Sequence, residues 1–348
     1  MAGPDDKPLR HPEYEKAPLS RRAFWARIGA VAGFGGLATY LSRAPADWPL
    51  SLRDPQGLRG LPVEKPMTLR DYRVPKPSGA PDVAVGRGDE ARVRLVAALD
   101  VMGGLAHYVK PGDIVLVKPN VAFDRAPNLG ATSNPQIVEE LVRMLLVDCR
   151  AQEVRVADNP IESPADCFAK SGVRLAAERG GGRVYLPDSN AFRVLSTPGA
   201  KLIASWPIFQ RPLTNVDKVI GIAPVKDHNL CHASMGIKNW YGLLGGRRNQ
   251  FHQDIHEIVS DLSMMMRPTL TILDGGSVLM KNGPTGGDPS NVKPGNTVAV
   301  GVDPVALDAW VFEHLLERGR DYPRYLELAQ KKGTGTIDWT GRVREARA

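Results

Sequence analysis

The feature that most constrains this chain is a regular alternation of short apolar runs with longer amphipathic stretches, which begins after residue 82. The apolar runs have the length of β-strands and are Asp113–Lys118, Glu153–Ala157, Arg183–Leu186, Lys218–Ala223, Thr269–Leu273 and Thr297–Gly301. Helical patterns lie between them, at residues 90–108, 135–149, 163–178, 253–266 and 303–318. Nearly continuous apolar strands that are separated by helices are typical of parallel sheets buried on both faces. The sequence therefore predicts an α/β protein with a mostly parallel sheet flanked by helices.

Polar residues follow five of these runs at the point where each run ends. They are Lys118 with Asn120, Asp158, Lys226 with His228, Asp274, and Asp303. Because ligands bind outside the carboxyl ends of the strands in open α/β sheets, we expect a ligand cleft there. An Asp or Asn after a strand can instead cap the next helix, which we expect of Asp303 and of Asn134 before Pro135. An ammonium group cannot accept an amide hydrogen, so Lys118 and Lys226 are the stronger functional candidates.

Residues 226–261 contain four of the seven histidines, in two pairs spaced four residues apart. His252 and His256 would project from one face of a helix, as two ligands of a single metal ion require. With His228 they form a candidate site for one divalent metal, and imidazole together with carboxylate ligands would suit zinc, iron or manganese. The other interpretation is that these histidines are ordinary polar residues of a loop and a helix.

Two loops near this stretch have two interpretations each. The Gly-Leu-Leu-Gly-Gly run before Arg247 and Arg248 could present backbone amides and two guanidinium groups to an anion. A glycine that ends a helix, followed by surface arginines, explains the same pattern. Residues 281–287 form either a flap over the cleft or an irregular loop.

The first 81 residues differ from the rest in composition. Ser20–Trp25 contains paired arginines and precedes an uncharged run, Ile28–Leu41, and a candidate cleavage site, Ala44–Ala46. This pattern resembles a twin-arginine export signal, so we expect export to the periplasm by the twin-arginine translocase. A cleaved signal and an uncleaved membrane anchor both fit residues 1–46. Residues 47–81 are rich in proline and predict a tether, followed by the α/β domain at 82–335 and a tail at 336–348.

The composition excludes several classes of function. The net charge of +7 is not concentrated in a Lys/Arg tract, so we do not expect nucleic acid as a partner. Three cysteines without a C-x-x-C motif argue against an iron–sulfur cluster or a cysteine-based zinc site. The segment His228–His232 ends in Cys-His but lacks the first cysteine of a haem attachment motif, so covalent haem is not expected either.

Several of these segments together resemble the domain of unknown function 362 family. The matching motifs include DIVLVKPN, VADNP, KVIGIAPVKDH, SMGIKNWYGLLGG, NGPTGG and VDPVALDAW, in order between residues 82 and 335. The resemblance marks as motif positions Lys118, Asn120, Lys226, His228, Lys238, Asn239, Asp274 and Asp303. Many members carry cysteine-rich ferredoxin-like segments, which this chain lacks, so the resemblance does not bring a cluster with it.

The sequence thus favours a periplasmic enzyme that binds a small anionic or oxygenated substrate, with or without a divalent metal. We predict catalytic roles for Lys118, Lys226, Lys238 and His228. Predicted substrate-binding residues are Asn120, Asp158, Asn239, Asp274, Arg247 and Arg248, and predicted metal ligands are His228, His252 and His256. The alternative function is a non-catalytic accessory subunit or assembly factor of a membrane-associated redox complex.

The export signal can be tested by replacing Arg21 and Arg22 together with lysine. We expect the double variant to remain in the cytoplasm, because the motif requires the arginine pair rather than positive charge alone. Cell fractionation followed by immunoblotting measures the distribution, with Arg27→Lys, outside the pair, as the matched control. Normal recovery of the double variant from the periplasm would refute the signal.

Overall fold

The structure is a computed structural model that describes residues 65–347 continuously and, before them, residues 33, 36–37, 39–40, 42–43, 54, 56–58 and 61. The chain divides into two units, Met1–Pro55 and Gln56–Ala348. In the first, the described residues between 33 and 43 are helical and exposed. None of the helices in the described residues is long and apolar enough to span a bilayer. The arginine pair in Ser20–Trp25 lies outside the described residues.

The second unit is organised around one large sheet. Its nine strands, within the described part of the chain, are β1 Val83–Arg87, β2 Ile114–Lys118, β3 Glu153–Ala157, β4 Arg183–Tyr185, β7 Lys218–His228, β8 His232–Ser234, β9 Leu270–Leu279, β10 Val292–Gly301 and β11 Val343–Arg347. Strands β5 Phe192–Ser196 and β6 Ser205–Phe209 form a separate antiparallel hairpin. The order across the sheet is β11-β1-β10-β9-β7-β2-β3-β4, with β8 paired to β7.

Five neighbouring strands, β9, β7, β2, β3 and β4, run parallel to one another. Strand β10 is antiparallel to both β9 and β1, and β11 is parallel to β1. The prediction of a mostly parallel α/β sheet is therefore confirmed. The parallel pairs require crossover connections, which the helices between the strands provide.

Helices cover both faces of the sheet. The α-helices are α1 Ala91–Val101, α2 Leu105–Tyr108, α3 Pro135–Val147, α4 Pro164–Lys170, α5 Val173–Arg179, α6 Gly236–Asn239, α7 Ile255–Met265, α8 Pro304–His314 and α9 Arg324–Lys331. Short 3₁₀ helices occupy Pro127–Leu129, Arg211–Leu213, Trp240–Leu243, Arg248–Asp254 and Pro289–Asn291. The alternation along β2 shows how the faces divide, because Val115 and Val117 pack with α1, α3 and α5 while Leu116 packs with α6, α7 and α9.

Two helix caps that the sequence predicts are confirmed. The Asn134 side chain accepts the amide hydrogen of Gln136 at 2.9 Å, and Pro135 occupies the first turn of α3. Asp303 accepts the amides of Val305 and Ala306 at the start of α8. Asp303 therefore serves as the N-cap of α8, as the sequence predicts.

Strand β7 is longer than the sequence predicts, since it continues past Ala223 to His228. The extension pairs with β8, with Lys226 opposite Ser234 and His228 opposite His232. Alternate residues of a strand share a face, so Lys226 and His228 point to one side and Asp227 to the other. This extension places two of the predicted catalytic side chains together.

Two segments that the sequence assigns to linkers pack against the sheet instead. Tyr72, within the predicted tether 47–81, is 4% exposed, and its amide donates to the Arg267 carbonyl at 3.0 Å. Strand β11, within the predicted tail 336–348, pairs with β1. Prolines remove backbone donors, but the other side chains of such a segment can still bury apolar surface. The packed part of the chain thus extends beyond the predicted range of 82–335.

Buried Asp308 in α8 gives a testable pH dependence of stability. It accepts the amides of Gly236 and Ile237 at the start of α6, and burial raises its pKa to about 7. In the unfolded chain this carboxyl ionises near pH 3.8. Its contribution to the free energy of unfolding is therefore fully present below that pH, and it is lost as the pH rises to 7.

We expect Asp308→Asn to reduce the fall in the free energy of unfolding between about pH 4 and pH 7. Urea titrations at several pH values measure this slope, with the exposed Asp100→Asn as control. The same slope in the wild type and in Asp308→Asn would contradict the assignment.

Candidate functional site

The carboxyl ends of β2, β3 and β7 meet α6 around a small cavity of about 60 Å³. Its polar lining consists of Lys118, Asn120, Asp158, Asn159, Lys226, His228, Ser234, Lys238, Asn239, Tyr241, Arg248 and His252. One water molecule occupies roughly 10–15 Å³ of such a cavity, so there is room for only a few waters or one small molecule. All four predicted catalytic residues lie here.

A buried ion pair forms the base of the cavity. Lys118 Nζ lies 2.8 Å from Asp158 Oδ1, and neither side chain is more than 1% exposed. Asp158 also accepts the backbone amides of Val121 at 2.6 Å and Asn159 at 3.0 Å. Burial lowers the pKa of Lys118, and the neighbouring Asp158 carboxylate opposes that effect. Asp158 therefore has its charge neutralised and its oxygens hydrogen-bonded, as a buried carboxylate requires.

Two asparagines connect this ion pair to the second lysine. Asn239 Oδ1 accepts from Lys118 Nζ at 2.8 Å and from Asn120 Nδ2 at 3.1 Å. Its Nδ2 donates to the carbonyls of Lys118 and Ile222, each at 3.1 Å. Asn120 Oδ1 in turn accepts from Lys226 Nζ at 3.0 Å. This chain of hydrogen bonds fixes the position of both ammonium groups.

Lys226 differs from Lys118 because, among the described residues, no carboxylate pairs with it. Its Nζ donates to Asn120 and to the Ala131 carbonyl at 2.6 Å, and lies 5.2 Å from the centre of the Phe123 ring. Both acceptors are neutral, and no salt bridge involves Lys226 within the described residues. Its pKa is held well below the usual range by burial first and by the neighbouring lysines second.

His228 is neutral at the cavity wall. Its Nδ1 accepts the backbone amide of Leu230 at 3.1 Å, which leaves the proton on Nε2. Burial lowers its pKa to about 2, and the charges of Lys238 and Lys226 act in the same direction. His228 can therefore donate one hydrogen bond from Nε2, and it does not become a cation near neutral pH.

Lys238 is half-buried, with its ammonium group 5.4 Å from the centre of the Tyr241 ring. Burial lowers its pKa, and the charge of Arg248 adds to this effect. The ring face offers a weak cation–π contact but no hydrogen-bond acceptor. No hydrogen bond of Lys238 Nζ occurs among the residues described, so its donors can reach a ligand.

Arg248 contributes charge to the cavity but uses its hydrogen bonds within the fold. Its guanidinium donates to the carbonyls of Tyr241, Leu244, Asn159 and Pro160, at 2.7 to 3.3 Å. These bonds close the glycine-rich loop against the segment after β3. Arg248 is 7% exposed and is therefore not the surface arginine of the second interpretation, and its hydrogen bonds hold the loop in place.

The loop at 281–287 packs against the same cavity. Pro284 lines it, and the Gly283 amide donates to Asp227 Oδ2 at 3.0 Å. Asp227 is held from the other side by an ion pair with Arg318 at 2.6 Å. The loop is therefore anchored through Asp227, whose side chain points away from the cavity.

Three predicted site residues lie elsewhere. Asp274 lines a separate cavity, and Arg247 lines another beside Asn249. His256 is not among the residues that line the cavity, and its ring centre lies 6.2 Å from that of His232 and 6.4 Å from that of Tyr325.

The predicted metal ligands do not converge on one point. His252 belongs to the 3₁₀ helix Arg248–Asp254, whereas His256 belongs to α7, so the four-residue spacing does not give them one face. His252 Nδ1 lies 2.9 Å from the Asn249 carbonyl. Among the residues that the structure describes, no group of three or more His, Cys, Asp or Glu is arranged to hold a metal ion. The metal site stays a prediction.

Sequence reasoning missed Phe123, Ser234, Tyr241 and Pro284 as lining residues. Tyr241 stands three positions after Lys238, which is the spacing of neighbours on a helical turn, and that spacing could have identified it. The other three depend on contacts between distant segments, and no local pattern predicts them.

The cavity is strongly cationic. Four basic side chains line it (Lys118, Lys226, Lys238 and Arg248), against the single carboxylate of Asp158. Positive charge in a small, water-poor cavity attracts anions, and it destabilises the empty protein through mutual repulsion.

By fold, then, this is an α/β protein with a mostly parallel sheet and helices on both faces. The chain belongs to the family described as domain of unknown function (DUF362), which matches residues 115–313 and so more than half of the chain. The matched range contains every residue that lines the cationic cavity.

A thylakoid-associated protein of Synechocystis is 28% identical over 227 residues, which make up 60% of this chain and 65% of that protein. The match thus spans less than two thirds of the relative. Two solved structures are distant: the lactate racemase apoprotein from Thermoanaerobacterium thermosaccharolyticum has 15% identity, covers 77% of this chain and 60% of its own, and gives a TM-score of 0.34. A structural-genomics protein from Thermotoga maritima has 11% identity, coverage of 57% and 54%, and a TM-score of 0.31.

The packing around the ion pair predicts a large effect of Gly242→Ala. A Cβ at this position would lie 2.0 Å from Asp158 Oδ1 and 2.6 Å from Lys118 Nζ, so the two side chains would have to separate. Breaking a buried ion pair costs about 3–5 kcal/mol of stability, and we expect a loss of this order in urea unfolding. Gly36→Ala is the control, because nothing lies within 4 Å of the corresponding Cβ. An unchanged unfolding midpoint for Gly242→Ala would refute this packing.

Proposed function

We propose that the protein is an enzyme that binds a small anionic or oxygenated substrate in the cationic cavity. The observation that carries the proposal is the side chain of Lys226, which is 1% exposed and, within the part of the chain that the structure describes, has only neutral hydrogen-bond acceptors. A buried cation without a counter-ion is costly unless a ligand supplies the negative charge. A substrate carboxylate or similar group would supply it.

The two lysines then have different tasks. Lys118, held by Asp158, stays charged and stabilises negative charge on the substrate. The pKa of Lys226 is lowered, so its ammonium can give a proton to the bound substrate and the resulting amine can take one back. His228 donates from Nε2 and orients the substrate. General acid–base chemistry on a small anion is the reaction class this arrangement supports.

The place of action in this proposal is the periplasm. The paired arginines in Ser20–Trp25 support export by the twin-arginine translocase. The following uncharged run, Ile28–Leu41, supports retention at the membrane if it is not removed.

A second candidate function is an accessory subunit of a membrane-associated redox complex. The relative from Synechocystis is named for its association with thylakoids, and that name favours a membrane partner. Affinity purification from solubilised membranes separates the two functions, because an accessory subunit should recover its complex in constant proportion. If the protein is recovered without stoichiometric partners, the accessory-subunit function is excluded and the enzyme function is supported.

Lys226→Met tests the binding step. We expect the affinity for small anions to fall at least about tenfold, since a hydrogen bond to a charged group contributes about 1.5–3 kcal/mol. Isothermal titration with acetate, bicarbonate and phosphate measures this, and Lys331→Met, exposed on α9, is the control.

The same titrations in buffers of different ionisation enthalpy report proton uptake. Because the pKa of free Lys226 is lowered and a bound anion raises it, the wild type should take up a proton on binding, increasingly as the pH rises above the free pKa. Equal affinity and equal proton uptake in Lys226→Met would exclude Lys226 from the site.

A further inference from the structure

The cationic cavity contains an amine whose surroundings suit a nucleophile. Among the described residues, Lys226 Nζ has two hydrogen-bond acceptors, Asn120 Oδ1 at 3.0 Å and the Ala131 carbonyl at 2.6 Å. An ammonium group has three N–H donors, whereas a neutral amine has two. The two acceptors therefore match the neutral amine, whose lone pair is then free to form a bond.

The neighbouring charges favour the same neutral form. Burial lowers the pKa of Lys226 most, and the charges of Lys238 and Lys118 lower it further. The one carboxylate in the lining, that of Asp158, is paired with Lys118 at 2.8 Å. A lysine that is desolvated beside other cations is a typical nucleophile near neutral pH, because its amine loses the proton easily.

The three lysines of the cavity are not equivalent. Lys118 has a fixed carboxylate beside it and keeps its charge. Lys238 is held by the face of the Tyr241 ring at 5.4 Å, so its ammonium can give a proton to a ligand. Only Lys226 combines complete burial with two neutral acceptors.

The size and charge of the cavity select the molecule that this amine would attack. A volume of about 60 Å³ admits one molecule of a few heavy atoms. The positive charges of Lys118 and Lys238 attract a carboxylate, and His228 Nε2 can donate a hydrogen bond to it. Amines attack carbonyl carbons to form imines. A 2-oxo acid carries a carboxylate and a reactive carbonyl carbon on neighbouring atoms.

We propose that Lys226 forms a covalent imine with a small 2-oxo acid, such as glyoxylate or pyruvate. The amine adds to the aldehyde or ketone carbon, and one of its N–H protons passes to the carbonyl oxygen. The resulting hydroxyl takes a second proton from Lys238 and leaves as water, so no oxidant or reductant takes part. The product is an iminium cation, whose charge the carboxylate of the same molecule offsets. This inference rests on the proposed function, since it names the class of substrate for that site.

Reductive trapping tests the imine. The full chain is incubated near neutral pH with glyoxylate, pyruvate or acetate in the presence of cyanoborohydride, which reduces an imine to a stable secondary amine. Peptide mapping by mass spectrometry then locates the adduct. With either 2-oxo acid we expect Lys226 to be labelled at least about tenfold faster than exposed Lys331, since each unit by which a pKa is lowered gives about tenfold more free amine. Acetate should give no adduct.

Two matched variants and a competitor serve as controls. Lys226→Met should lose the fast labelling, and Lys331→Met should keep it. Excess acetate should slow the labelling of Lys226, because it occupies the place of the carboxylate. The comparison of Lys226 with Lys331 within the wild type does not depend on whether Lys226→Met folds.

Labelling of Lys226 no faster than that of Lys331, or fast labelling of Lys238 in its place, would overturn the proposal. If no adduct forms while acetate affinity still falls in Lys226→Met, the imine is refuted and the anion-binding function stands. If Lys226 is labelled while Lys226→Met leaves acetate affinity unchanged, the imine stands and the anion-binding role of Lys226 is refuted.

Discussion

The buried ion pair between Lys118 and Asp158 is the interaction on which the site depends. It joins the ends of β2 and β3, and Asp158 also holds the backbone after β2 through the Val121 amide. Asn239 reaches the pair from α6, so an element that packs on the sheet face is fixed to the sheet edge. Gly242 leaves room for this contact, since any side chain there would meet both charges. Because this ion pair is buried, its hydrogen bonds and charges are satisfied only when β2, β3 and α6 keep this arrangement.

The fold treats two chemically identical side chains in different ways. Lys118 has a carboxylate beside it, whereas Lys226, at the end of a neighbouring strand, has only an amide and a carbonyl oxygen. Burial removes water from both ammonium groups, which costs solvation free energy. Only Lys118 has a fixed negative charge nearby that offsets this cost. The difference arises from strand order, because β2 lies between β3 and β7 and Asp158 follows β3. Strand order thereby gives Lys118 a fixed carboxylate partner and places Lys226 beside neutral acceptors.

Periodicity predicted much of the fold, including the bounds of β3 at Glu153–Ala157, because strands buried on both faces are nearly continuous apolar runs. The sequence was sufficient to select Lys118 and Lys226 as candidates, because an ammonium group after a strand cannot cap the next helix. Tyr72 could not be assigned to the core, because its burial depends on residues nearly two hundred positions away. His252 and His256 have the four-residue spacing of neighbours on an α-helix, but they lie in helices of different type, and spacing alone does not encode that change.

The segment from Ala131 to Ser133 serves as a common wall of the cationic cavity and of the separate cavity that Asp274 lines. The Ala131 carbonyl accepts from Lys226 on one side, Thr132 lines the other side, and Ser133 bonds to Asn120 and to Ile222 behind them. Both linings therefore share one short segment of backbone. A substitution that displaces Ala131 or Thr132 would alter the shape of both cavities together.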